Sequence, residues 1–259
     1  LQTVNIPLPF FARIIASLNK YIQPVIVLCA LLFVVGLAWQ QSRQEVARSH
    51  VIAVDEVFDR TQASIVDRFD TYTNVLRGYK GFFESSDSVN ADEYGSYFNN
   101  SQPAGGYPGF TAITFVRAIP SNDEAAFVTE MKNQAKYVPG LSAFRVNPKT
   151  SNQMLYPLTY ATTTNWGFDL GTSEIRRTTL EKARDTGQAT ASGEINLNAS
   201  LGNSVAKRTG FFMSLPIYRH VTGQEAPRTV EERRSRIYGF INTVFENDKI
   251  FGDILKSEI

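Results

Sequence analysis

The chain of 259 residues carries 26 Lys and Arg against 25 Asp and Glu, a formal charge of +1, which excludes a protein that binds nucleic acid through a basic surface. Hydrophobic residues make up 43% and charged residues 20%, a composition that excludes disordered and fibrous chains. Cys29 is the single cysteine and His50 and His220 are the two histidines, so neither a disulfide framework nor a Cys/His metal site is expected. We therefore expect a folded chain that uses no metal and no cofactor.

The N-terminal part contains an uncharged stretch from Tyr21 to Ser42, which as a helix would extend roughly 33 Å. This length predicts a transmembrane helix over residues 21–42, preceded by a cytoplasmic segment over residues 1–20. A cleavable signal peptide is the alternative, because Gly36-Leu37-Ala38 resembles a cleavage site. The apolar core is long for such a peptide, and the helical pattern continues after Trp39, which favours an uncleaved anchor. Basic residues are equally frequent on both sides of the stretch, so charge alone leaves its orientation open.

A long stalk helix is predicted over residues 43–85, because no Pro follows Trp39 before Pro103 and the first Gly after Trp39 is Gly78. Its apolar stripe has near-heptad spacing and runs through Val51, Val54, Phe58, Thr61, Ile65, Phe69, Tyr72, Leu76, Tyr79 and Phe83. Two arrangements fit this stripe: a helix packed on its own domain, or a parallel coiled coil of two stalks. We favour the second, a homodimer, since a helix that leaves a membrane must bury the stripe over many turns.

The region 86–246 is predicted to be a globular body. The patterns Asn90-x-x-Glu93 and Ser121-x-x-Glu124 start two helices, and Thr172 or Ser173 caps a third that ends at Gly187. Strands rich in aromatic and β-branched residues are predicted at 110–116, 144–146, 154–160, 189–197, 209–218 and 237–245. The charged segment 220–236 reads as an exposed hairpin loop, and residues 247–259 as a C-terminal amphipathic helix.

The order of these elements predicts the fold class. Short helices followed by consecutive strands with hairpin-length links favour an α+β fold, with an antiparallel sheet and helices against it, over a doubly wound parallel sheet. With the transmembrane helix and the long stalk helix in front of it, this is the layout of an extracytoplasmic sensor domain.

Eight short motifs between Leu76 and Phe251 resemble the CHASE domain, the extracytoplasmic sensory module of receptor histidine kinases and of nucleotide or diguanylate cyclases. In chain order they are Arg77-Gly78-Tyr79-x-Gly81-Phe82-Phe83, Tyr107-Pro108-Gly109-Phe110, Pro157-x-Thr159-Tyr160, Gly167-Phe168-Asp169-Leu170, Arg176-Arg177-x-x-Leu180-Glu181-x-Ala183-Arg184-x-Thr186-Gly187, Gly210-Phe211, Pro216-x-Tyr218 and Gly239-Phe240. Each motif alone is common, and the specificity comes from their shared order. The segments 161–165 and 220–236 depart from the family pattern.

The resemblance implies a PAS-like sensor that binds a small molecule outside the cytoplasm and signals through its helices. It implies a receptor in the bacterial inner (plasma) membrane, with a periplasmic or extracellular sensor. A second membrane span and an output domain, a histidine kinase or a cyclase, are expected beyond Ile259.

The resemblance also points to Asp169 as a ligand-binding residue. In plant hormone receptors of the family an aspartate at the matching position hydrogen-bonds a purine ligand, and a carboxylate suits an amine or the N–H edge of a heterocycle. The alternative is that Asp169 pairs with Arg176 or Arg177, or caps the helix backbone. Further candidates for the pocket are aromatic, hydroxyl and apolar side chains on neighbouring segments, namely Tyr156, Tyr160, Phe168, Thr190, Ser192, Phe115 and Leu215.

No catalytic motif accompanies this pattern. Neither Gly-x-Ser-x-Gly nor a phosphate-binding Gly-x4-Gly-Lys-Ser/Thr occurs, and Asp169 and Glu174 read as acids near a helix start. We therefore predict no catalysis in this region. A structural or protein-sensing ectodomain without a small ligand is the alternative function.

Overall fold

The computed structural model describes residues 8–101, 110–161, 165–197, 208–221, 223–250 and 252. The chain divides into two compact units, Leu1–Arg60 and Thr61–Ile259, which are described separately below. The helix α1 (Leu8–Glu84) contributes residues to both units.

In the first unit, α1 contains one segment that is long and apolar enough to cross a membrane, Pro24–Gln41, with a mean hydropathy of 2.0. None of this segment is buried against protein, and Phe33, for example, is 68% exposed. An apolar helix without a protein partner is what a membrane span requires. The candidate anchor therefore coincides with the predicted stretch 21–42, while the side chains of Val51 and Val54 lie outside the described residues.

The second unit is built on an antiparallel sheet. Among the described residues, six strands form it in the order β4-β1-β8-β7-β5, with β6 also paired to β7. Their bounds are β1 (Phe110–Arg117), β4 (Leu158–Ala161), β5 (Thr190–Ala191), β6 (Ile195–Asn196), β7 (Thr209–Tyr218) and β8 (Ile237–Glu246). A separate pair joins β2 (Ile119–Pro120) to β3 (Met154–Leu155). The α+β class with a mostly antiparallel sheet is thereby confirmed.

The helices of this unit are α2 (Ala91–Ser101), α3 (Glu124–Asn133), α4 (Glu174–Thr186) and α5 (Val230–Arg236). Asn90 caps α2 as predicted: its Oδ1 accepts from Glu93 N at 3.0 Å, and the Glu93 carboxylate accepts from Asn90 N at 2.9 Å. At the other predicted boundary, Gly187 ends α4 in the left-handed region with φ 73°. The capping residues therefore predicted the start of α2 and the end of α4 correctly.

One face of the sheet packs against α1. The stripe predicted from the heptad-like spacing is buried from Tyr72 to Phe83 within the core that also contains Phe245 and Ile241. Phe83 stacks on Phe115 with ring centroids 4.1 Å apart. Over these residues the stripe packs on its own domain, the first of the two arrangements that fit its spacing, while the homodimer stays a prediction.

The opposite face packs against α4. Leu180 and Ala183 of that helix are fully buried in a second apolar cluster, together with Val116, Phe212 and Phe240 of the sheet. Side chains alternate between the two faces along each strand. Hence β1, β7 and β8 are buried on both sides, which explains their almost continuous apolar sequences.

Two glycines of the family-like motifs sit where strands approach closely. A Cβ at Gly239 would lie 2.4 Å from the Val116 carbonyl oxygen, and one at Gly210 would lie 1.9 Å from that of Phe245. Only glycine fits such contacts without a shift of the backbone.

Four element predictions need correction. The stretch 144–146 is not a strand: Phe144 and Val146 are buried, but the chain there follows a 3₁₀ turn and pairs with no strand. The predicted strands 154–160 and 189–197 are each divided into two short strands. The segment 220–236 is not all loop, because a capping box at Thr229 and Glu232 starts α5.

Candidate functional site

Asp169 lies in the turn that leads into α4. It is fully buried, and its extended backbone (φ −81°, ψ 109°) precedes the 3₁₀ turn Leu170–Thr172. The Asp169 Oδ1 atom accepts two hydrogen bonds, from Tyr156 N at 2.8 Å and from Gly171 N at 2.9 Å. A cap of this kind is the expected use of an aspartate at the start of a helical turn.

The second carboxylate oxygen of Asp169 has a different environment. Asp169 Oδ2 is buried and has no hydrogen-bond partner among the described residues. The two arginines named as alternative partners bond elsewhere: Arg176 donates to the Asn196 carbonyl at 3.2 Å, and Arg177 donates to the Gly171 carbonyl at 3.2 Å. Of the two alternatives to ligand binding, the backbone cap is therefore present, and in the described part of the chain Asp169 forms no direct ion pair with Arg176 or Arg177.

Burial raises the pKa of the Asp169 carboxyl above its ordinary value. The hydrogen bonds from the Tyr156 and Gly171 amides act in the opposite direction, because they stabilise the charged form. A hydrogen-bond donor that reaches the Asp169 Oδ2 atom would stabilise the charged form of the carboxyl, as the two backbone amides do at Oδ1.

A row of polar side chains crosses the sheet on the α4 face. Cross-strand pairing aligns Thr114 of β1, Asn242 of β8, Ser214 of β7 and Thr190 of β5. Asn242 and Ser214 are buried, and the Asn242 amide oxygen and nitrogen and the Ser214 hydroxyl have no partner within the described chain. Buried polar groups are nearly always hydrogen-bonded, so this row is the most unusual chemistry of the sheet.

Tyr156 belongs to the same side of the molecule. Its ring packs edge-on against Phe240, with centroids 5.9 Å apart, and its buried hydroxyl also has no partner in the described ranges. Burial raises the pKa of Tyr156 to about 12, so the hydroxyl stays protonated and can donate at neutral pH. We call Tyr156, Asp169, Ser214 and Asn242 the polar group of the α4 face.

Three predicted pocket residues lie on the other face. Phe115, Leu215 and Tyr160 all belong to the core packed against α1. The Tyr160 ring stacks on Tyr94 and Phe115, and its hydroxyl lies 2.9 Å from the Val89 carbonyl oxygen. Since the sheet separates them from the α4 face, these three cannot join Tyr156 in one pocket.

The remaining predicted residues are distributed along the edge of the site. Phe168 lies under the Arg176 guanidinium, 5.5 Å from its ring centroid, and lines a cavity of about 340 Å³ with Trp166. Thr190 is half-buried at the end of the polar row. The Ser192 hydroxyl accepts from Phe212 N at 3.1 Å and donates to the Gly193 carbonyl oxygen. It is therefore already hydrogen-bonded to the backbone at the edge of the sheet.

Ser214 and Asn242 were missed in the sequence. The available signal was a polar residue inside a strand that is otherwise apolar on both faces, as in the segments 209–218 and 237–246. In the part of the chain that the structure describes, no group of three or more His, Cys, Asp or Glu side chains is placed to hold a metal ion.

Comparison with known families assigns this architecture. The family described as the CHASE domain matches residues 87–259, and the chain therefore belongs to the CHASE domain family. CHASE domains are extracytoplasmic, non-catalytic sensory domains of signalling receptors, and the apolar segment Pro24–Gln41 is consistent with membrane anchoring. No curated protein matches the chain.

Proposed function

We propose that this region is the small-molecule sensor of a membrane-bound receptor, and that the polar group of the α4 face binds the ligand. The observation that carries the proposal is the set of buried, unpartnered polar atoms on Tyr156, Asp169, Ser214 and Asn242. Membership of a sensory family supports it.

The energetic argument rests on the sheet. A buried donor or acceptor without a partner destabilises the fold by about 1–3 kcal/mol. Asn242 carries both an unpartnered donor and an unpartnered acceptor, and the neighbouring Ser214 hydroxyl can serve as either. A ligand with matching donors and acceptors would form hydrogen bonds with these atoms. Binding would therefore remove the destabilisation that the unpartnered atoms cause in the unliganded fold.

The ligand chemistry follows from the same atoms. Asp169 offers one free carboxylate oxygen, which favours an N–H or amine donor on the ligand. Tyr156 and Asn242 offer donors, which favour a ligand that also carries acceptors. An amine-bearing compound or a nitrogen heterocycle meets both requirements.

The receptor context is part of the proposal. We place the sensor outside the bacterial inner membrane, with a PAS-like arrangement of sheet and helices, and with a histidine kinase or cyclase as the output enzyme. A homodimer through α1 remains proposed, and within the second unit Val66 of α1 is 53% exposed and available to a second copy. Signalling requires that the ligand prefer one of two arrangements of the sensor.

A ligand screen on the intact chain tests the proposal. Compounds that bind the folded state raise its melting temperature by mass action, and the compound is recovered unchanged. For any compound found, Asp169→Asn is expected to keep the fold and weaken binding by about 1.5–3 kcal/mol. Asp70→Asn is the matched control, because Asp70 is exposed on α1, and its affinity should equal that of the wild type.

The other outcomes decide between functions. Chemical turnover of the stabilising compound would indicate an enzyme. Absence of stabilisation by any small molecule would favour the structural or protein-sensing ectodomain, and equal affinities of Asp169→Asn and Asp70→Asn would remove Asp169 from the site.

A further inference from the structure

A second cavity, separate from the polar group of the α4 face, is surrounded by positive charge. It has a volume of about 390 Å³ and lies among α1, the turn after α4, the end of β7 and α5. Its cationic lining residues are Lys80, Arg219, Arg233 and Arg236, with His220 beside them, and Glu84 is the one carboxylate in its described lining.

Backbone carbonyls hold two of these arginines in place. Arg236 donates to the Arg219 carbonyl oxygen at 3.0 Å and to the Glu225 carbonyl oxygen at 2.7 Å. Arg233 donates to the Asp185 carbonyl oxygen at 2.9 Å. Carbonyl oxygens fix the orientation of a guanidinium without cancelling its charge, so both cations remain available to an anion.

A glycine permits the position of Arg233. A Cβ at Gly187 would lie 3.2 Å from the Arg233 Nε atom, and the positive φ of Gly187 disfavours other residues as well. The end of α4 is therefore shaped so that the guanidinium lies against it.

The acidic side chains of this region are engaged elsewhere. Asp185 binds Arg234 at 2.6 Å, Glu225 pairs with Arg228, and the Glu232 carboxylate accepts from the backbone amides of Arg228 and Thr229. Glu84 lies 3.5 Å from Lys80 and can balance only one of the four cations. Within the described residues, the Arg219 side chain has no carboxylate partner.

We propose that this cavity binds a phosphate group, either free phosphate or the phosphate of a small phosphorylated molecule. Guanidinium groups present paired donors that match phosphate oxygens, and several cations around one cavity suit a doubly charged oxyanion. The pocket volume accommodates a ligand no larger than a small metabolite. Because Arg219, Lys80 and Arg233 belong to segments that surround the cavity, a bound phosphate would link α1 to the β7–α5 connection.

The test is a titration of the full chain in detergent with inorganic phosphate, and then with glycerol 3-phosphate, at constant ionic strength set with NaCl. We expect saturable binding of phosphate at each fixed ionic strength. Repeating the titration at a higher fixed ionic strength should weaken the binding, because salt screens the charges of the cavity. Arg219→Gln is expected to weaken binding about tenfold or more, the usual scale for losing a charged hydrogen-bond donor.

Two controls make the result specific. Lys132→Gln makes the same charge change on the exposed surface of α3, and Asp169→Asn alters the proposed sensing site; both should bind phosphate as the wild type does. The proposal is overturned if Arg219→Gln and Lys132→Gln have equal affinities, or if phosphate stabilises the protein no more than NaCl. Tighter binding of glycerol 3-phosphate than of phosphate would identify a phosphorylated molecule, and tighter phosphate binding would identify the free anion.

Discussion

The face of the sheet that packs against α1 and the face that packs against α4 both contain buried side chains, but they differ in chemistry. On the α1 face, Phe115, Ile241 and Phe245 contact rings and aliphatic side chains of the helix, and in the described strands the unpartnered atoms of that face are the Thr243 hydroxyl and, at the end of β1, the Arg117 Nε atom. On the α4 face, Ser214 and Asn242 bring three unpartnered polar atoms into the middle of the same strands.

The difference separates two tasks within one sheet. Apolar packing on the α1 face contributes stability, roughly in proportion to the area removed from water. Unpartnered polar atoms on the α4 face reduce stability, and binding sites are the places where such a loss is tolerated. The comparison therefore predicts that truncating a buried apolar side chain on the α1 face lowers the free energy of unfolding. Truncating an unpartnered polar side chain on the α4 face should raise it.

The largest effect is expected at Leu76, which is fully buried between α1 and the sheet. Leu76→Ala should lower the free energy of unfolding by about 2–5 kcal/mol, because it removes apolar contacts and leaves a cavity. Urea unfolding followed by circular dichroism measures the change. Arg77→Ala, on the exposed side of the same helix, should change it by less than about 0.5 kcal/mol. Similar values for both variants would contradict the proposed packing of α1.

An effect of opposite sign is expected at Ser214. Ser214→Ala should raise the free energy of unfolding by about 1–3 kcal/mol, because it removes a buried hydroxyl that has no partner. Ser192→Ala provides the contrast, since the Ser192 hydroxyl is bonded to Phe212 N and to the Gly193 carbonyl, and its loss should destabilise. The same unfolding titration compares them, and a loss of stability in Ser214→Ala would show that the two faces do not differ as described.

The smallest effect is expected in the pH dependence of stability. Because burial raises the pKa of Asp169 in the folded state, the protonated carboxyl is favoured there, and its contribution to stability is lost as pH rises through that pKa. As the pH rises from about 4, the ordinary pKa of an aspartate, through the raised pKa of the folded state, wild type should therefore lose stability relative to Asp169→Asn. Unfolding midpoints of both proteins at a series of pH values measure the difference in stability. A difference between wild type and Asp169→Asn that does not change with pH would contradict the prediction.

Much of the fold could be predicted from local patterns. The predictions of the strand 209–218, of the start of α2 and of the C-terminal end of α4 are correct, because capping residues, Gly187 and dense β-branched or aromatic runs act over a few residues. The stripe of α1 was also recognised, but its partner was not. A periodic apolar stripe predicts that one face of a helix is buried. It does not predict the partner, because a helix that packs on a sheet and one that packs on a second helix have the same spacing.

The site was predicted in part. Asp169, Tyr156 and Thr190 lie on the α4 face, whereas Phe115, Tyr160 and Leu215 lie on the opposite one. The error arises because the face of a strand residue depends on register, and one position along a strand reverses it. Ser214 and Asn242 were overlooked since their pairing emerges only when β7 and β8 are placed side by side.

The central strand β8 continues directly into helix: Glu246 is its last residue, and residues 247–250 are helical. β8 is hydrogen-bonded along both edges, to β1 and to β7, which makes it stiff along its length. Asn242 lies five residues before the first helical residue, a distance of roughly 17 Å in an extended strand. Because no loop residue separates the strand from the helical residues, we expect an axial shift or a change of twist at Asn242 to cause a rotation of the helix that follows.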